Sequence, residues 1–516
     1  MRATSLGHAG ILVETDRGSI VCDPWFEPAF LGSWFVFPRN DQLSAELMDR
    51  VCNPTYLYIS HQHGDHLDEV FLRERMNKDV TVLLPGFPTR ELERQLSRLG
   101  FHRFVRTTNG AEVELNEGLS IAIHIESSIS DGPGGDSALI VSDGTTRLLN
   151  QNDCRIGDLA LLTSHGPIDL HYLQFSGAIW YPMVYDMPVD DKRSLVTSKV
   201  ESQFTRAEKY VESVGARVVL PSAGPPCFLD ENLLHLNMIE QTDISIFPDQ
   251  TAFIDRLTKR GVKNPKLNVP GTCVEVSPHE FTVTHPGSLE TVMEPFTNKK
   301  NYLRQYQSDW SDWLNRVHAS WPKVTTDLAT TLQAWWEPLF VLSPILRQAI
   351  GGNCRIMSGD ADLLIDFSAG QVRLFSGEHF RYRFTIPRPL LENVVAERCV
   401  DWSNSLFLSC RFSAWREGEF NEFLYNFFKS LSVERIRRAE DEARRRTGAQ
   451  EELSDEIELG DFIMQRKCPH RSADLSQFGV IEGDYVVCTL HGWKFRTSDG
   501  SCLNAEDRSL SIRPRA

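Results

Sequence analysis

The sequence predicts a multidomain α+β chain, and three observations carry that expectation. At 516 residues it is too long for a single core. Over its first half, short apolar strands alternate with helical patterns and polar loops, as in a layered sandwich of sheets and helices. Farther on the pattern turns helical, and a densely charged stretch then sets off a compact strand-rich tail. These shifts divide the chain into a layered α/β domain over 1–265, a helical and α+β region over 266–432, a charged linker over 433–458 and an all-β module over 459–516.

The elements follow in order. Strands are expected at 10–14, 19–22, 55–60, 80–84, 120–125, 137–141 and 159–163, with a helix over 89–99. A helix at about 204–214, a strand at 217–220 and a proline-rich loop at 221–226 extend the first unit. Residues 266–300 read as loop, and 302–350 as helix bearing Trp310, Trp313, Trp321, Trp335 and Trp336, a set better suited to a packed core than to a cofactor. Strand-like runs at 362–367, 372–375 and 382–386 precede a helix ending near 431. The run 434–458, with Arg444-Arg445-Arg446, reads as a solvated helix and linker rather than a binding patch.

Composition excludes several functions. A net charge of −16 argues against nucleic-acid binding, which needs a basic face. Eleven cysteines without a disulfide rhythm suit a reducing compartment. The N-terminus lacks a charged leader with an apolar run, and no stretch of 18 apolar residues is present, so a cytoplasmic protein without membrane insertion is expected.

Two motifs carry the chemistry. Near the end, Cys468-Pro469-His470 is followed by Cys488-Thr489-Leu490-His491-Gly492-Trp493. A C-x-H pair and a C-x-x-H pair on two loops suit a Rieske [2Fe–2S] cluster, in which two thiolates hold one iron and two imidazoles the other. A structural zinc site also uses two Cys and two His, but zinc knuckles rarely combine these two spacings. Neither loop carries the extra cysteine that would brace it with a disulfide, which favours the oxygenase and ferredoxin kind over the respiratory one. The expected ligands are Cys468, His470, Cys488 and His491.

The second motif is His61-Gln62-His63-Gly64-Asp65-His66, directly after an apolar strand. Three imidazoles and a carboxylate on one turn can converge on metal. The run resembles the H-x-H-x-D-H signature of the metallo-β-lactamase fold, an αββα sandwich. That resemblance implies His61 and His63 at one metal position, Asp65 and His66 at the other, and Asp153 as the bridging aspartate. The family usually has a histidine before the preceding strand, where this chain reads Ser130-Asp131-Gly132-Pro133-Gly134-Gly135-Asp136, so Asp131 or Asp136 would substitute. Carboxylate in place of imidazole suits iron, one or two ions, better than zinc. His165 is a further candidate ligand or acid/base, and Asp230 a last ligand, each set against a bland role as cap or loop hydrogen-bonder. His8, in the first hairpin, would approach the metal from outside the ligand set.

With both sites in view, the chain resembles CMP-N-acetylneuraminate hydroxylase. The likeness includes the run from Asp23-Pro24-Trp25-Phe26 to Trp34, Tyr58-Ile59-Ser60-His61, Leu149-Asn150 ahead of Asp153-Cys154, the segment 362–367, Asp401-Trp402 and 420–428. It spans about 1–430. The order departs from that family, in which the Rieske module comes first. The resemblance implies an iron-dependent monooxygenase in which the cluster feeds electrons to iron in the first domain, for O₂ activation and C- or N-hydroxylation of a small polar substrate. A ferredoxin- or flavin-type reductase would supply the electrons. If the tail docks away from its own chain's iron it would serve a neighbour's, which implies a homo-oligomer. The alternatives are a binuclear zinc hydrolase with a redox-regulatory Rieske module and a substrate-independent O₂-reducing electron-transfer protein.

Overall fold

The computed structural model describes residues 1–127, 134–240, 242–322, 327–448, 455–505 and 508–515. The chain forms two compact units, Met1–Ala178 with Val196–Asp312, and Ile179–Leu195 with Trp313–Ala516.

The described residues of the first unit form fourteen strands: β1 (Arg2–Gly7), β2 (Gly10–Thr15), β3 (Gly18–Cys22), β4 (Tyr56–Tyr58), β5 (Thr81–Leu84), β6 (Arg103–Arg106), β7 (Glu112–Asn116), β8 (Leu119–Glu126), β9 (Asp136–Ser142), β10 (Arg147–Asn152), β11 (Leu170–Gln174), β12 (Val218–Ser222), β13 (Cys273–Val276) and β14 (Phe281–Thr284). One sheet runs β14-β13-β1-β2-β3-β4-β5-β6 and the other β12-β11-β10-β9-β8-β7. Alternate residues of both sheets, among them Ile11, Val13, Tyr58, Leu83, Ile121, Leu139, Leu148, Tyr172 and Leu220, share one buried core. Fully burying each such side chain contributes about 1.5–3 kcal/mol, so the two inner faces are held firmly together.

Helices cover the outer faces. α1 (Ala45–Cys52), α2 (Glu69–Glu74) and α3 (Glu91–Arg98) bury Leu47, Val51, Phe71, Leu72, Leu92 and Leu96 against the back of β3, β4 and β5. α4 (Val189–Val214) and α5 (Gln250–Lys259) bring Phe204 and Phe253 onto Phe175, just past β11. The result is the αββα layering of the metallo-β-lactamase fold. Strands β3 to β6 and β10 to β12 are parallel, so the loops after β4 and β10 leave their sheets in register with their neighbours. Asp68 caps α2 by accepting the Phe71 N–H, and its other oxygen accepts the Phe26 and Glu27 N–H groups. One carboxylate thus ties the 25–27 loop to the helix that follows the histidine run.

The second unit begins within α7 (Lys299–Ser320), which follows α6 (Leu289–Thr297). Its central sheet runs β17-β16-β15-β18-β19, built from β15 (Cys354–Ser358), β16 (Ala361–Asp366), β17 (Gln371–Leu374), β18 (Tyr382–Thr385) and β19 (Ser413–Arg416). Around it lie α8 (Leu328–Val341), α9 (Pro344–Ile350), α10 (Arg388–Ala396), α11 (Glu422–Phe428) and α12 (Val433–Gly448). Trp336, Trp402, Phe340, Phe427 and Phe428 form an aromatic core at centroid distances of 5.0–5.9 Å. The tail adds two three-stranded sheets, β20 (Glu456–Leu459), β21 (Phe462–Gln465) and β25 (Ile512–Pro514), and β22 (Gly479–Glu482), β23 (Tyr485–Cys488) and β24 (Trp493–Arg496), with the short α13 (Leu475–Phe478). Among the described residues no helix is long and apolar enough to cross a membrane.

Four expectations change. The apolar run 159–163 is a 3-10 turn, because Asp158 caps it by accepting the Ala160 N–H. The stretch 266–300 is not loop: β13 pairs with β1, β14 with β13, and α6 follows. The helix expected from 204 begins at Val189. The charged run from 434 starts as a packed helix: α12 buries Ile436, Ala439 and Ala443, and its buried Glu440 accepts the Ile345 and Leu346 N–H groups at the start of α9. Of the tryptophans, Trp335 and Trp336 are core, while Trp310, Trp313 and Trp321 are half-buried.

Candidate metal centres

The histidine run leaves β4 at Ser60 and folds back at once, with the His66 and Leu67 N–H groups bonding the His63 carbonyl. His61, Asp65 and His66 are buried, and His63 is half-buried with its ring 4.3 Å from that of His61. Asp153 arrives from the end of β10: its Oδ1 stands 3.7 Å from His66 Nε2. Two groups of ligand atoms converge within 4.8 Å, His61 with His66 and Asp153, and His8 with Asp65 and His66.

Asp23, at the end of β3, organises this cluster. Its carboxylate accepts the Ser60 N–H at 2.7 Å, the Ser60 hydroxyl at 2.7 Å, the Asn152 amide at 2.9 Å and His66 Nδ1 at 2.9 Å. A carboxylate only accepts, so His66 carries its proton on Nδ1 and turns the lone pair of Nε2 inward. Asp136 does the same behind His61, its Oδ1 lying 3.2 Å from Nδ1. Carboxylates behind both imidazoles fix tautomer and orientation as they do for metal-bound histidines.

The inward-facing atoms fit a cation. Among the described residues Asp65 Oδ1, His66 Nε2 and Asp153 Oδ1 are buried without a hydrogen-bond partner. Burial disfavours charge on Asp65, but the imidazoles of His66, His8 and His63 outweigh it and hold the carboxyl well below its ordinary range. Burial likewise opposes a proton on His66, and Asp153, Asp65 and Asp23 overcome it and raise its pKa. Asp153 is lowered, chiefly by His66, against its own desolvation. A divalent ion would satisfy the same excess of negative charge that raises the His66 pKa.

Not every expected residue joins. His165 packs its ring 5.4 Å from that of His124 and is in neither converging group. Asp230 caps the 3-10 turn Glu231–Asn237 by accepting the Asn232 N–H, which leaves it outside both groups as well. Asp136 supports His61 from behind. Asp131 lies outside the described residues. Asp23 is the residue that motif reading passed over. Its signal was an aspartate-proline at the end of an apolar strand, where a buried carboxylate is costly unless it is fully bonded.

At the tail, two tight loops face each other. Cys468 N–H bonds the Ala473 carbonyl, and the His491 and Gly492 N–H groups bond the Cys488 carbonyl. The ligand atoms of Cys468, Cys488 and His491 lie within 4.8 Å of one another. The His470 ring stands 4.8 Å from His491 and stacks on Trp493 at 3.9 Å and 10°. Both sulfurs are buried and both imidazoles half-buried. The adjoining Cys488 sulfur, then burial, push the Cys468 thiol well above its ordinary pKa. Thiols so crowded suit ligation, where iron supplies the missing positive charge. Arg508 supports the first loop, donating to the Pro469 carbonyl at 3.2 Å while also reaching the buried Glu422 of α11 at 3.4 Å.

Comparison with known proteins agrees with the cluster loops of the tail. Residues 437–511 match the Rieske [2Fe-2S] domain family, and residues 328–445 match the Rv3818-like, SCP2-like domain. Rv3818 of Mycobacterium tuberculosis, named only as a Rieske 2Fe-2S iron-sulfur protein, is 42% identical over all of both chains. The cytidine monophosphate-N-acetylneuraminic acid hydroxylase of Xenopus laevis is 26% identical over 43% of this chain and 38% of that one. Among solved structures, the diiron β-hydroxylase CmlA of Streptomyces venezuelae aligns at TM-score 0.34 and 15% identity, over 55% of this chain and 54% of that one.

Proposed function

The chain belongs to the family of the Rieske iron–sulfur protein Rv3818, and from that premise we propose that it is a Rieske-dependent non-haem iron monooxygenase. In this reading the catalytic domain, expected over 1–265, extends through β13 and β14, and the cluster module, expected over 459–516, begins with β20 at Glu456. Cys468, His470, Cys488 and His491 would hold the [2Fe–2S] cluster, and His61, His63, Asp65, His66 and Asp153 one or two irons. When bound, the cluster supplies single electrons and the iron supplies O₂ activation for C- or N-hydroxylation of a small polar substrate.

The observation that carries the proposal is the donor set. Three buried atoms without hydrogen-bond partners, Asp65 Oδ1, His66 Nε2 and Asp153 Oδ1, share a chain with a Rieske domain. Two of the three are carboxylate oxygens, and an oxygen-rich mixed site suits iron better than zinc. The chain's own part is to keep those atoms turned inward. Asp23 and Asp136 hold the Nδ1 protons of His66 and His61, so neither imidazole can swing out without breaking a buried bond. The likeness to a hydroxylase over part of the chain supports the reaction class. A ferredoxin- or flavin-type reductase is the electron donor this chemistry requires.

Purified protein is expected to carry more iron than the two ions of the cluster. It is also expected to consume O₂ only when a reductant is present. An iron content of two per chain with tightly bound zinc, and a hydrolytic turnover indifferent to dithionite, would overturn the proposal in favour of a binuclear zinc hydrolase. Stoichiometric reduction of O₂ to water, unaffected by any organic substrate, would instead leave an oxygen-reducing electron carrier.

A further inference from the structure

His8 lies in the turn between β1 and β2 with φ of +50°. A residue bearing a Cβ is disfavoured there by about 1–2 kcal/mol, which glycine would avoid. The turn is nevertheless pinned. Its carbonyl accepts the Ala223 N–H at 2.9 Å, and a Cβ on the neighbouring Gly7 would stand 2.6 Å from Val36 Cγ1. The side chain is 1% exposed. Trp25 meets its ring edge-on at 4.9 Å and His66 does so at 5.7 Å, so the imidazole has little freedom to turn.

In that orientation Nε2 lies 3.0 Å from Asp65 Oδ2. An ionised carboxylate only accepts, so Nε2 carries the proton, and a nitrogen that donates is not at the same time a metal ligand. Among the described residues the other oxygen of Asp65, Oδ1, is buried without a hydrogen-bond partner, and so is His66 Nε2, which stands 3.9 Å from Oδ2. A carboxylate with one oxygen bonded and one set aside is what a cation needs from an oriented ligand.

We infer that His8 is a positioning residue for the metal centre, donating Nε2–H to Asp65 so that the carboxylate is held in place for a divalent cation shared with His66. The inference rests on the metal-centre reading above. It also gives a reason for an imidazole at a strained backbone position, where local conformation favours a smaller residue. With no histidine in residues 130–136, the site leans on its carboxylates, and their orientation matters correspondingly more.

The test uses full-length protein and zinc as the probe, titrated against a fluorescent chelator after the catalytic site has been stripped. Far-ultraviolet circular dichroism and a urea unfolding curve check that each variant is folded, and D65A marks which binding belongs to this site. H8A is expected to bind zinc about 10–100-fold more weakly than wild type, the usual cost of losing an outer hydrogen bond to a metal ligand. H8Q keeps an N–H donor near the position of Nε2 at the same backbone cost, and is expected to stay within about threefold of wild type. Equal zinc affinity in H8A and wild type would overturn the inference. H8Q as weak as H8A would also overturn it, since His8 would then bind the ion directly or only fill space. Wild-type protein with no zinc binding sensitive to D65A would sink the metal-centre reading itself.

Discussion

At Asp23 a single buried side chain receives four hydrogen bonds from three residues, Ser60, His66 and Asn152. D23N replaces an acceptor oxygen with a second donor facing the Nδ1–H of His66. Leaving buried donors unmatched costs about 3 kcal/mol, and metal affinity should fall about 10–100-fold, as read by urea unfolding and chelator competition. His171, in β11, tests burial in another way. Its Nε2 lies 2.9 Å from the Gln151 amide oxygen, and burial drives its pKa down to about 3. The unfolded chain takes up this proton below about 6.5, while the folded chain stays neutral. Stability is therefore full above pH 6.5 and declines as pH falls from there toward 3. Between pH 6.5 and 5 the loss from this residue is about 2 kcal/mol. H171Q should remove that part of the slope when urea midpoints are compared at the two pH values.

Elements differed in how far they could be read in advance. The helices near 91–98 and 328–350 announced themselves, because their apolar residues recur at helical spacing and face one neighbour. β1 did not. Its Ala3, Thr4 and Ser5 are small or polar yet fully buried, since the strand lies inside the larger sheet between β2 and β13. β13 was hidden because its pairing partner β1 lies at the opposite end of the unit's sequence, and β14 joins the sheet only through β13. The charge of α12 masked a buried seam of Ile436, Ala439 and Ala443. I436A should cost about 2–5 kcal/mol in thermal or urea unfolding, a value expected of a core position and not of a solvated linker.

The whole molecule carries two kinds of candidate site, one in each unit, and the cluster can be perturbed without touching the other. His470 stacks on Trp493 in the second unit, while the histidine run belongs to the first. H470C is expected to lower the cluster's midpoint potential by on the order of 200 mV, toward the about −400 mV of all-thiolate clusters. Iron content at the other centre should stay unchanged. Reductant-driven turnover should then be lost while peroxide-driven turnover persists, if the cluster only relays electrons. Retained reductant-driven turnover would show that electrons reach the catalytic centre by another route.

Both metal-type clusters were legible from the sequence by itself, because their defining residues are neighbours in the chain. Spacing within a single turn brings Cys468 near His470 and His61 near His66 whatever the rest of the fold does. The supporting residues could only be decided by tertiary structure. His8 reaches Asp65 across 57 residues, and Asn152 reaches Asp23 across 129. No periodicity or local motif encodes such contacts; they exist because two sheets close on one core and bring their strand ends together. The same closure set Asp136 behind His61 and placed His165 beside His124, while Asp230 was taken by the local cap of the turn that follows it. Residue chemistry proposes ligands locally, and packing over long separations decides which of them converge.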